Sequence, residues 1–215
     1  MLQVRRLDVS IQSVSVLRGV NMEVPSGQFV GLIGRNGAGK TTLMRSVMGL
    51  LAATAGSIQF DGASLGRTAT HMRARNGFGY MPEDRRLVPN LTVEENILIP
   101  AWSARVRDPS QRLKRIYTLI PEVEQLRSRK ALLLSGGQQK LVALSRALMC
   151  GSKLLLLDEP FEGVAPVLAR RLAEVIAGLK EEGLSILLTE SDLSHSRELL
   201  DMVYTIDRGE VAAAG

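Results

Sequence analysis

Residues 34–41 of this 215-residue chain read GRNGAGKT, which fits the pattern GxxxxGK[ST]. An apolar run at 28–33 precedes this stretch, and from Gly39 onward apolar residues recur at helical spacing. A strand, a glycine-rich loop and a helix in this order are typical of a loop that cradles phosphate groups. Successive backbone N–H groups turn inward on the anion in such a loop, and the helix N-terminus adds a partial positive charge.

The side chains of this loop have separate predicted tasks. Lys40 reaches the β and γ phosphates of a nucleotide, the Thr41 hydroxyl ligates Mg²⁺, and Thr42 lies near the α phosphate. The predicted ATP-binding residues of the loop are Gly34, Arg35, Asn36, Gly37, Ala38, Gly39, Lys40, Thr41 and Thr42.

A second motif supplies acidic groups, because the apolar run 154–157 ends in Asp158 and Glu159. Two carboxylates at the end of a buried strand are costly without a cation, so Asp158 is predicted to hold Mg²⁺ through its water shell. Glu159 is predicted to polarise or deprotonate the water that attacks in an in-line displacement. Together the two motifs predict hydrolysis of a nucleotide phosphate.

Hydrophobic periodicity gives a β-rich N-terminal third and a last third in which helices and strands alternate. Thr92 and Glu95 have the spacing of a capping box. Alternation of helices and strands predicts a parallel sheet covered on both faces, and therefore an α/β protein. Strands are predicted at 2–9, 13–24, 28–33, 57–60, 78–81, 153–158, 184–189 and 202–207, and helices from 39 onward and at 92–99, 109–120, 136–150, 166–182 and 192–201.

The composition is that of an ordinary folded protein, with 45% hydrophobic and 23% charged residues and a net charge of +5. Aromatic residues are only 4%, which argues against a nucleic-acid partner because bases stack on aromatic side chains. The basic residues at Arg73, Arg75 and 105–115 are expected to form solvated helix faces.

The single Cys150 excludes an intramolecular disulfide and fits a reducing compartment. The sequence shows neither the apolar core of a signal peptide nor a stretch long enough to span a bilayer. We therefore expect a protein that is neither secreted nor embedded in a membrane.

Residues 134–138 read LSGGQ, in which a Ser cap and two glycines open a helix and expose a second anion site. With this motif the chain resembles the ATP-binding subunit of the ABC transporter superfamily. In that superfamily the LSGGQ signature falls between the phosphate loop and the strand that ends in Asp and Glu, as it does here. The resemblance covers essentially the whole chain. In that superfamily two subunits pair head to tail, so the resemblance implies that ATP of the partner subunit is contacted by Ser135, Gly136, Gly137 and Gln138.

The resemblance also implies the architecture. It predicts an α/β fold with a P-loop NTPase core and a mostly parallel sheet, an N-terminal antiparallel β subdomain and a helical signature subdomain. Residues 1–215 are expected to form a single ABC ATPase domain, with the nucleotide-binding core at about 1–81 and 151–215 and the helical and signature region at 82–150. The helical part from about 82 to 126 is expected to carry a groove for a permease.

Segments such as GFGYMPEDRRLVPNLTVEENI and LLLLDEPFEGVAP are similar to the shorter, LivF-like ATPase subunit of the branched-chain amino-acid uptake branch. Most of the superfamily has a glutamine where this chain has Glu83, and a carboxylate is a hard oxygen ligand that suits Mg²⁺. The resemblance thus implies a metal set of Thr41, Glu83 and Asp158. Ile11 stands at the adenine-stacking aromatic position, so the base is expected to rest on apolar contacts with Ile11 and Val16.

Ser191 stands where most members have a switch histidine, and the resemblance makes it the second catalytic residue beside Glu159. A serine hydroxyl can hydrogen-bond a γ phosphate but brings no imidazole charge. His195, one helical turn further on, is the alternative. A further departure is Ala165 at the usual aspartate of the D-loop.

The expected function is that of an ATP-hydrolysing subunit that powers a membrane importer of branched-chain or related amino acids, with ATP and Mg²⁺ as cofactors. The expected partners are a second ABC ATPase subunit, identical or not, membrane permease subunits and a separate solute-binding protein, at the cytoplasmic face of the membrane. Three alternatives remain: a urea or amide importer, an ATP-dependent closing module with weak hydrolysis, and a DNA-repair or ribosome-associated ABC ATPase. The last usually has a coiled-coil insertion or a duplicated domain, and this sequence shows neither.

Overall fold

The structure is a computed structural model that describes residues 1–214. The strands in this range are β1 (Leu2–Ile11), β2 (Val14–Val24), β3 (Phe29–Ile33), β4 (Ala55–Phe60), β5 (Ala63–Ser64), β6 (Phe78–Met81), β7 (Leu154–Asp158), β8 (Ser185–Glu190), β9 (Met202–Asp207) and β10 (Glu210–Ala213). The α-helices are α1 (Lys40–Val47), α2 (Thr70–Arg75), α3 (Val93–Ala104), α4 (Pro109–Leu119), α5 (Pro121–Gln125), α6 (Gly136–Cys150) and α7 (Pro166–Glu181). No helix among the described residues has both the length and the apolar character that crossing a bilayer requires.

The larger sheet has six strands in the order β10-β9-β3-β8-β7-β6. Its strands run parallel except β10, which is antiparallel to β9. Ile33 at the end of β3 pairs with Glu190 on β8, and Asp158 at the end of β7 pairs with Thr189. Because these three neighbouring strands end together, the glycine loop, the two acidic residues and Ser191 all follow from one edge of the sheet.

The two faces of this sheet are packed in separate apolar cores. Leu154 and Leu156 of β7 belong to the core that contains α1 and the strands of the N-terminal sheet. Leu155 and Leu157 belong to the core that contains α3, α6 and α7. Successive side chains of a strand point to opposite faces, so alternate residues of the same apolar run pack in different cores. The predicted α/β class with a parallel sheet covered on both faces is confirmed.

The smaller sheet is antiparallel and has the order β2-β1-β4-β5. Gln12 and Ser13 close the β1–β2 hairpin with left-handed φ values of 47° and 68°, which suit a tight two-residue turn. The predicted N-terminal antiparallel subdomain is thus present, and it places the start of β2 beside the glycine loop.

Most predicted elements are found with shifted ends. Helix 136–150 and strand 202–207 are confirmed, as is the capping box of Thr92 and Glu95 at the start of α3. Helix α3 continues through Pro100, past its expected end at residue 99. The short elements α2, α5 and β10 were not predicted, because a few residues carry too little periodicity to be recognised.

The helix predicted at 192–201 is wrong. The Asp192 carboxylate accepts hydrogen bonds from the backbone N–H and the hydroxyl of Ser194, which favours a turn over a helix. Only one 3₁₀ turn, Arg197–Leu199, forms in this segment. His195 is therefore not placed one α-helical turn after Ser191.

The expected solvated face at Arg73 is also wrong, because Arg73 is 5% exposed. Its guanidinium donates to the carbonyl oxygens of Ser46 (2.9 Å), Val47 (2.5 Å), Leu65 (2.7 Å) and Thr68 (3.0 Å). Burial lowers its pKa. Arg73 thus satisfies carbonyl groups at the carboxyl end of α1, the helix that follows the glycine loop.

We predict that Arg73→Met lowers the free energy of unfolding by about 2–4 kcal/mol, because it leaves buried carbonyl groups without donors. Arg75→Met is the matched control, since Arg75 lies on the same helix but is exposed, and should cost no more than about 0.5 kcal/mol. Urea denaturation measures both. Equal losses for the two variants would contradict the assigned role of Arg73.

Candidate functional site

Glycines shape the loop between β3 and α1. A Cβ at Gly34 would lie 2.3 Å from the carbonyl oxygen of Ile206, and a Cβ at Gly39 would lie 2.9 Å from a methyl carbon of Leu17. Gly39 also has φ of 115°, a conformation that favours glycine. No side chain caps the start of α1. The loop therefore presents an uncapped helix N-terminus to the space in front of it.

That space is a cavity of about 280 Å³. It is lined by Val16, Asn36, Gly37, Gly39, Lys40, Thr41, Thr42, Glu83 and Glu159. Of the predicted adenine contacts, Val16 therefore lies at the cavity, whereas Ile11 is outside its lining and 39% exposed. Gly34, Arg35 and Ala38 belong to the same loop without lining the cavity. The structure thus brings most of the predicted nucleotide contacts around one hollow.

Lys40 and Glu159 form a buried ion pair inside this cavity. The Lys40 Nζ lies 2.9 Å from the Glu159 Oε1, and the side chains are only 3% and 6% exposed. The same amine donates to the carbonyl oxygens of Gly34 (2.5 Å) and Arg35 (3.1 Å). Every partner of the lysine is thus an oxygen that a phosphate can replace.

The backbone of Glu159 is held in an unusual conformation, with φ of 48°. Its N–H donates to both the carbonyl oxygen and the Oγ1 of Thr189, each at 3.1 Å, and its own carbonyl accepts from the Lys140 Nζ at 2.7 Å. A non-glycine residue in the left-handed region costs on the order of 1 kcal/mol, so these three bonds fix a conformation that the chain would otherwise avoid. They aim the Glu159 carboxylate into the cavity.

Asp158 is completely buried beneath the loop. Its carboxylate accepts hydrogen bonds from the hydroxyls of Thr189 (2.8 Å), Thr41 (3.2 Å) and Tyr80 (3.3 Å). Burial raises the pKa of Asp158, and the bonds from Thr189 and Thr41 offset part of that increase. A positive charge near this carboxylate would remove the remaining penalty.

The oxygen groups at this point fit Mg²⁺. Thr41, Asp158 and Glu83 supply a hydroxyl and two carboxylates, all hard donors, while residues 1–214 contain no cluster of three His, Cys, Asp or Glu side chains that could enclose a metal. Mg²⁺ usually takes one or two carboxylates together with phosphate oxygens and water. The donor set and the only partly compensated burial of Asp158 both suit that pattern.

Ser191 lies next to the loop, since its hydroxyl donates to the Asn36 Oδ1 at 2.9 Å and Asn36 lines the cavity. The His195 ring instead packs 5.9 Å from the Phe161 ring and lines a different hollow, beside α7. Of the two candidates for the switch position, Ser191 is therefore the one in contact with a cavity residue.

The signature motif lies elsewhere on the chain. Ser135 caps α6 by accepting from the Gln138 N–H at 3.3 Å, while the Gln138 side chain accepts from the Ser135 N–H at 3.0 Å. The predicted Ser cap is confirmed. Ser135 and Gly136 are exposed, and neither they nor Gly137 and Gln138 line the phosphate cavity.

Sequence reasoning missed several groups that hold the site. Thr189 and Tyr80 contact Asp158, and Lys140 contacts the Glu159 carbonyl. Burial raises the pKa of Glu190 to about 7, and its carboxyl accepts from the Phe161 N–H at 3.0 Å. The register of a parallel sheet could have indicated Thr189, which pairs with Asp158; no local pattern marks the others.

Comparison with known proteins gives a consistent result. A family described as ABC transporter matches residues 17–162. The high-affinity branched-chain amino acid transport ATP-binding protein BraG of Pseudomonas aeruginosa is 34% identical over 211 residues, which cover 98% of this chain and 91% of BraG. The lipopolysaccharide export system ATP-binding protein LptB of Haemophilus influenzae is 34% identical over 216 residues, which cover 100% of this chain and 90% of LptB.

Among solved structures, a nucleotide-free ATP-binding cassette from an ABC transporter superimposes with a TM-score of 0.87 at 27% identity. The match covers 100% of this chain and 90% of that one. The fold predicted from the sequence is therefore found in an ATP-binding cassette of known structure.

We predict that Ser191→Ala lowers ATP turnover about 2- to 13-fold, the equivalent of one neutral hydrogen bond. His195→Ala should leave turnover unchanged, because its ring lies away from the phosphate cavity. Steady-state phosphate release measures both. A silent Ser191→Ala together with a damaging His195→Ala would place the switch role on the histidine.

Proposed function

The chain belongs to the ABC transporter family and is an ATPase, and on this premise we propose that it powers a membrane importer of branched-chain or related amino acids. The observation that carries ATP hydrolysis in this proposal is the cavity that joins Lys40, Thr41 and Glu159. A phosphate anchor, a metal-ligating hydroxyl and a proton acceptor then face the same small volume.

The residues divide the work of hydrolysis. Lys40 and the N–H groups of the loop bind the phosphates, and Thr41, Asp158 and Glu83 would hold Mg²⁺, which would offset phosphate charge. The Glu159 carboxylate takes a proton from the water that attacks the γ phosphorus, and ADP leaves on the opposite side. Ser191 orients the γ phosphate through its hydroxyl.

A second ABC ATPase subunit completes the site in this proposal. The signature residues lie outside the chain's own phosphate cavity, and exposed apolar side chains lie near them in sequence and space. Leu133 is 60% exposed just before the signature, and Val167 is 83% exposed at the start of α7, where the next residue, Leu168, abuts Gly137. Head-to-tail pairing would cover these side chains and bring Ser135 to Gln138 onto the partner's ATP.

A groove of about 390 Å³ supports a permease partner. It lies between the carboxyl end of α1 and the helices α2, α3 and α6, and its apolar lining includes Met48, Leu50, Phe78 and Ile99. Trp102, on the same α3, is 66% exposed. We assign this groove to a segment of a permease, which would hold the subunit at the cytoplasmic face of the membrane, with a separate solute-binding protein delivering the cargo.

The proposed cargo rests on relatives that transport different substrates. BraG supports amino-acid transport, and LptB, at the same identity, supports lipopolysaccharide export as a second candidate. The motif resemblance of 77–97 and 154–166 to the LivF-like branch favours uptake. The weakly hydrolysing alternative is disfavoured, because Glu159 is present and held at the cavity by three backbone contacts.

We predict that Glu159→Gln binds Mg-ATP but hydrolyses it at least about 10²-fold more slowly, because the amide keeps the shape and cannot accept the proton. Calorimetry measures binding, and phosphate release measures turnover. Glu174→Gln is the control, since Glu174 is an exposed residue of α7 that pairs with Arg171 and does not line the cavity. Unchanged turnover in Glu159→Gln would remove Glu159 from its role.

The same variant tests the cargo in cells that lack the gene for this chain. The wild-type gene should restore uptake of radiolabelled leucine, isoleucine or valine, and Glu159→Gln should not. Normal amino-acid uptake in the deletion strain, together with an outer-membrane defect that only the wild-type gene repairs, would favour lipopolysaccharide export.

A further inference from the structure

The tight turn that follows Glu83 links the phosphate cavity to α6, the helix that begins with the signature motif. Glu83 lines the cavity, and the turn that follows it contains Arg85 and Arg86 with left-handed φ values of 61° and 47°. Two successive non-glycine residues with left-handed φ values are strained, so the turn needs stabilising contacts from other parts of the structure.

Those contacts come from α6. The Arg146 guanidinium donates to the carbonyl oxygens of Arg86 (2.6 Å) and Arg85. Burial lowers the pKa of Arg146, as expected for a guanidinium withdrawn from water against backbone oxygens. Arg146 therefore holds the backbone of the turn against the last third of α6.

Arg85 makes the second link, at the start of the same helix. Its Nη1 donates to the carbonyl oxygen of Gly136 and to the Oε1 of Gln139, both at 3.3 Å, and Gln139 in turn donates to the Leu134 carbonyl at 3.2 Å. A Cβ at Gly136 would lie only 3.2 Å from this Nη1. The guanidinium thus sits directly on the first turn of the signature.

The neighbouring arginine provides a contrast. Arg86 directs its guanidinium to Asp84 at 2.8 Å in an exposed pair, and none of its side-chain hydrogen bonds reaches α6. Arg85 forms no ion pair within residues 1–214 and gives its donors to the signature helix instead. Two adjacent residues with the same charge and similar backbone strain therefore have different attachments.

We propose that Arg85 is a positioning residue that couples the two nucleotide sites of the ATPase dimer. It ties the turn that carries Glu83, at the chain's own nucleotide, to the signature turn that the partner's nucleotide contacts. Occupancy of one site then sets the position of the signature offered to the other. This inference rests on the proposed paired ATPase and assigns a cooperative role to a residue outside the phosphate cavity.

The test compares Arg85→Ala with its matched control Arg86→Ala in the full chain. Arg85→Ala should lower kcat about three- to tenfold, the range expected for lost hydrogen bonds, and should reduce the Hill coefficient for ATP towards one. The affinity for ADP and the melting temperature should stay at wild-type values, because Arg85 touches neither the phosphate cavity nor a core. Arg86→Ala should preserve all four quantities.

Two further variants make the outcome decisive. Arg85→Lys should recover part of the lost cooperativity, since an ammonium can reach one of the two acceptors. Gln139→Ala should reproduce part of the defect, and combining it with Arg85→Ala should add less than the two separate losses, as for residues in contact. If Arg85→Ala fails to fold, Gln139→Ala carries the same prediction.

The proposal is overturned if Arg85→Ala keeps the wild-type kcat and Hill coefficient, if Arg86→Ala shows the same defect, or if ADP affinity falls in parallel. A wild-type chain that does not hydrolyse ATP would instead overturn the proposed function. The two failures are therefore distinguishable by the wild-type baseline.

Discussion

The buried ion pair between Lys40 and Glu159 is the interaction on which the arrangement of the site depends. It joins the glycine loop after β3 to the end of β7, with 2.9 Å between the charged atoms. A charge removed from water is costly unless it is paired, so neither side chain can lose its partner without a replacement. A nucleotide phosphate that takes over Lys40 leaves the Glu159 carboxylate free to accept a proton. Binding of a phosphate to Lys40 is therefore coupled to release of the Glu159 carboxylate from the ion pair.

The parallel sheet is what brings these groups together. Strands β3, β7 and β8 end at one edge, so Lys40, Asp158 and Ser191 meet although they come from distant parts of the sequence. The signature turn at Ser135 lies outside this cluster and is exposed. One chain therefore presents a phosphate site and a signature that serve different nucleotides in our proposal, and the turn at Arg85 is the contact that links them.

Short sequence motifs were enough to predict those parts of the site that are formed by neighbouring residues of the chain. The glycine loop, the Asp158–Glu159 pair and the Ser135 cap each combine a short motif with a strand or helix of matching period, and the fold class follows from their order. The helix at 192–201 failed because one carboxylate, Asp192, favours a turn, and periodicity does not register a single side-chain bond. Arg73 was misplaced because charge alone does not distinguish a solvated side chain from one that satisfies buried carbonyls. The bond between Lys40 and Glu159 depends on tertiary packing, which no local pattern contains.

The affinity of Glu159→Gln for ADP tests the exchange at Lys40 most directly, because ADP engages the lysine without hydrolysis. Removal of the carboxylate's charge should release Lys40 to the phosphates, so calorimetry should show ADP binding tighter than in the wild type by at least about fivefold, or roughly 1 kcal/mol. Glu174→Gln removes an exposed carboxylate of α7 that pairs with Arg171 and does not line the cavity, so it should leave the affinity close to wild type. Unchanged or weaker ADP binding in Glu159→Gln, or equal gains in both variants, would contradict the account.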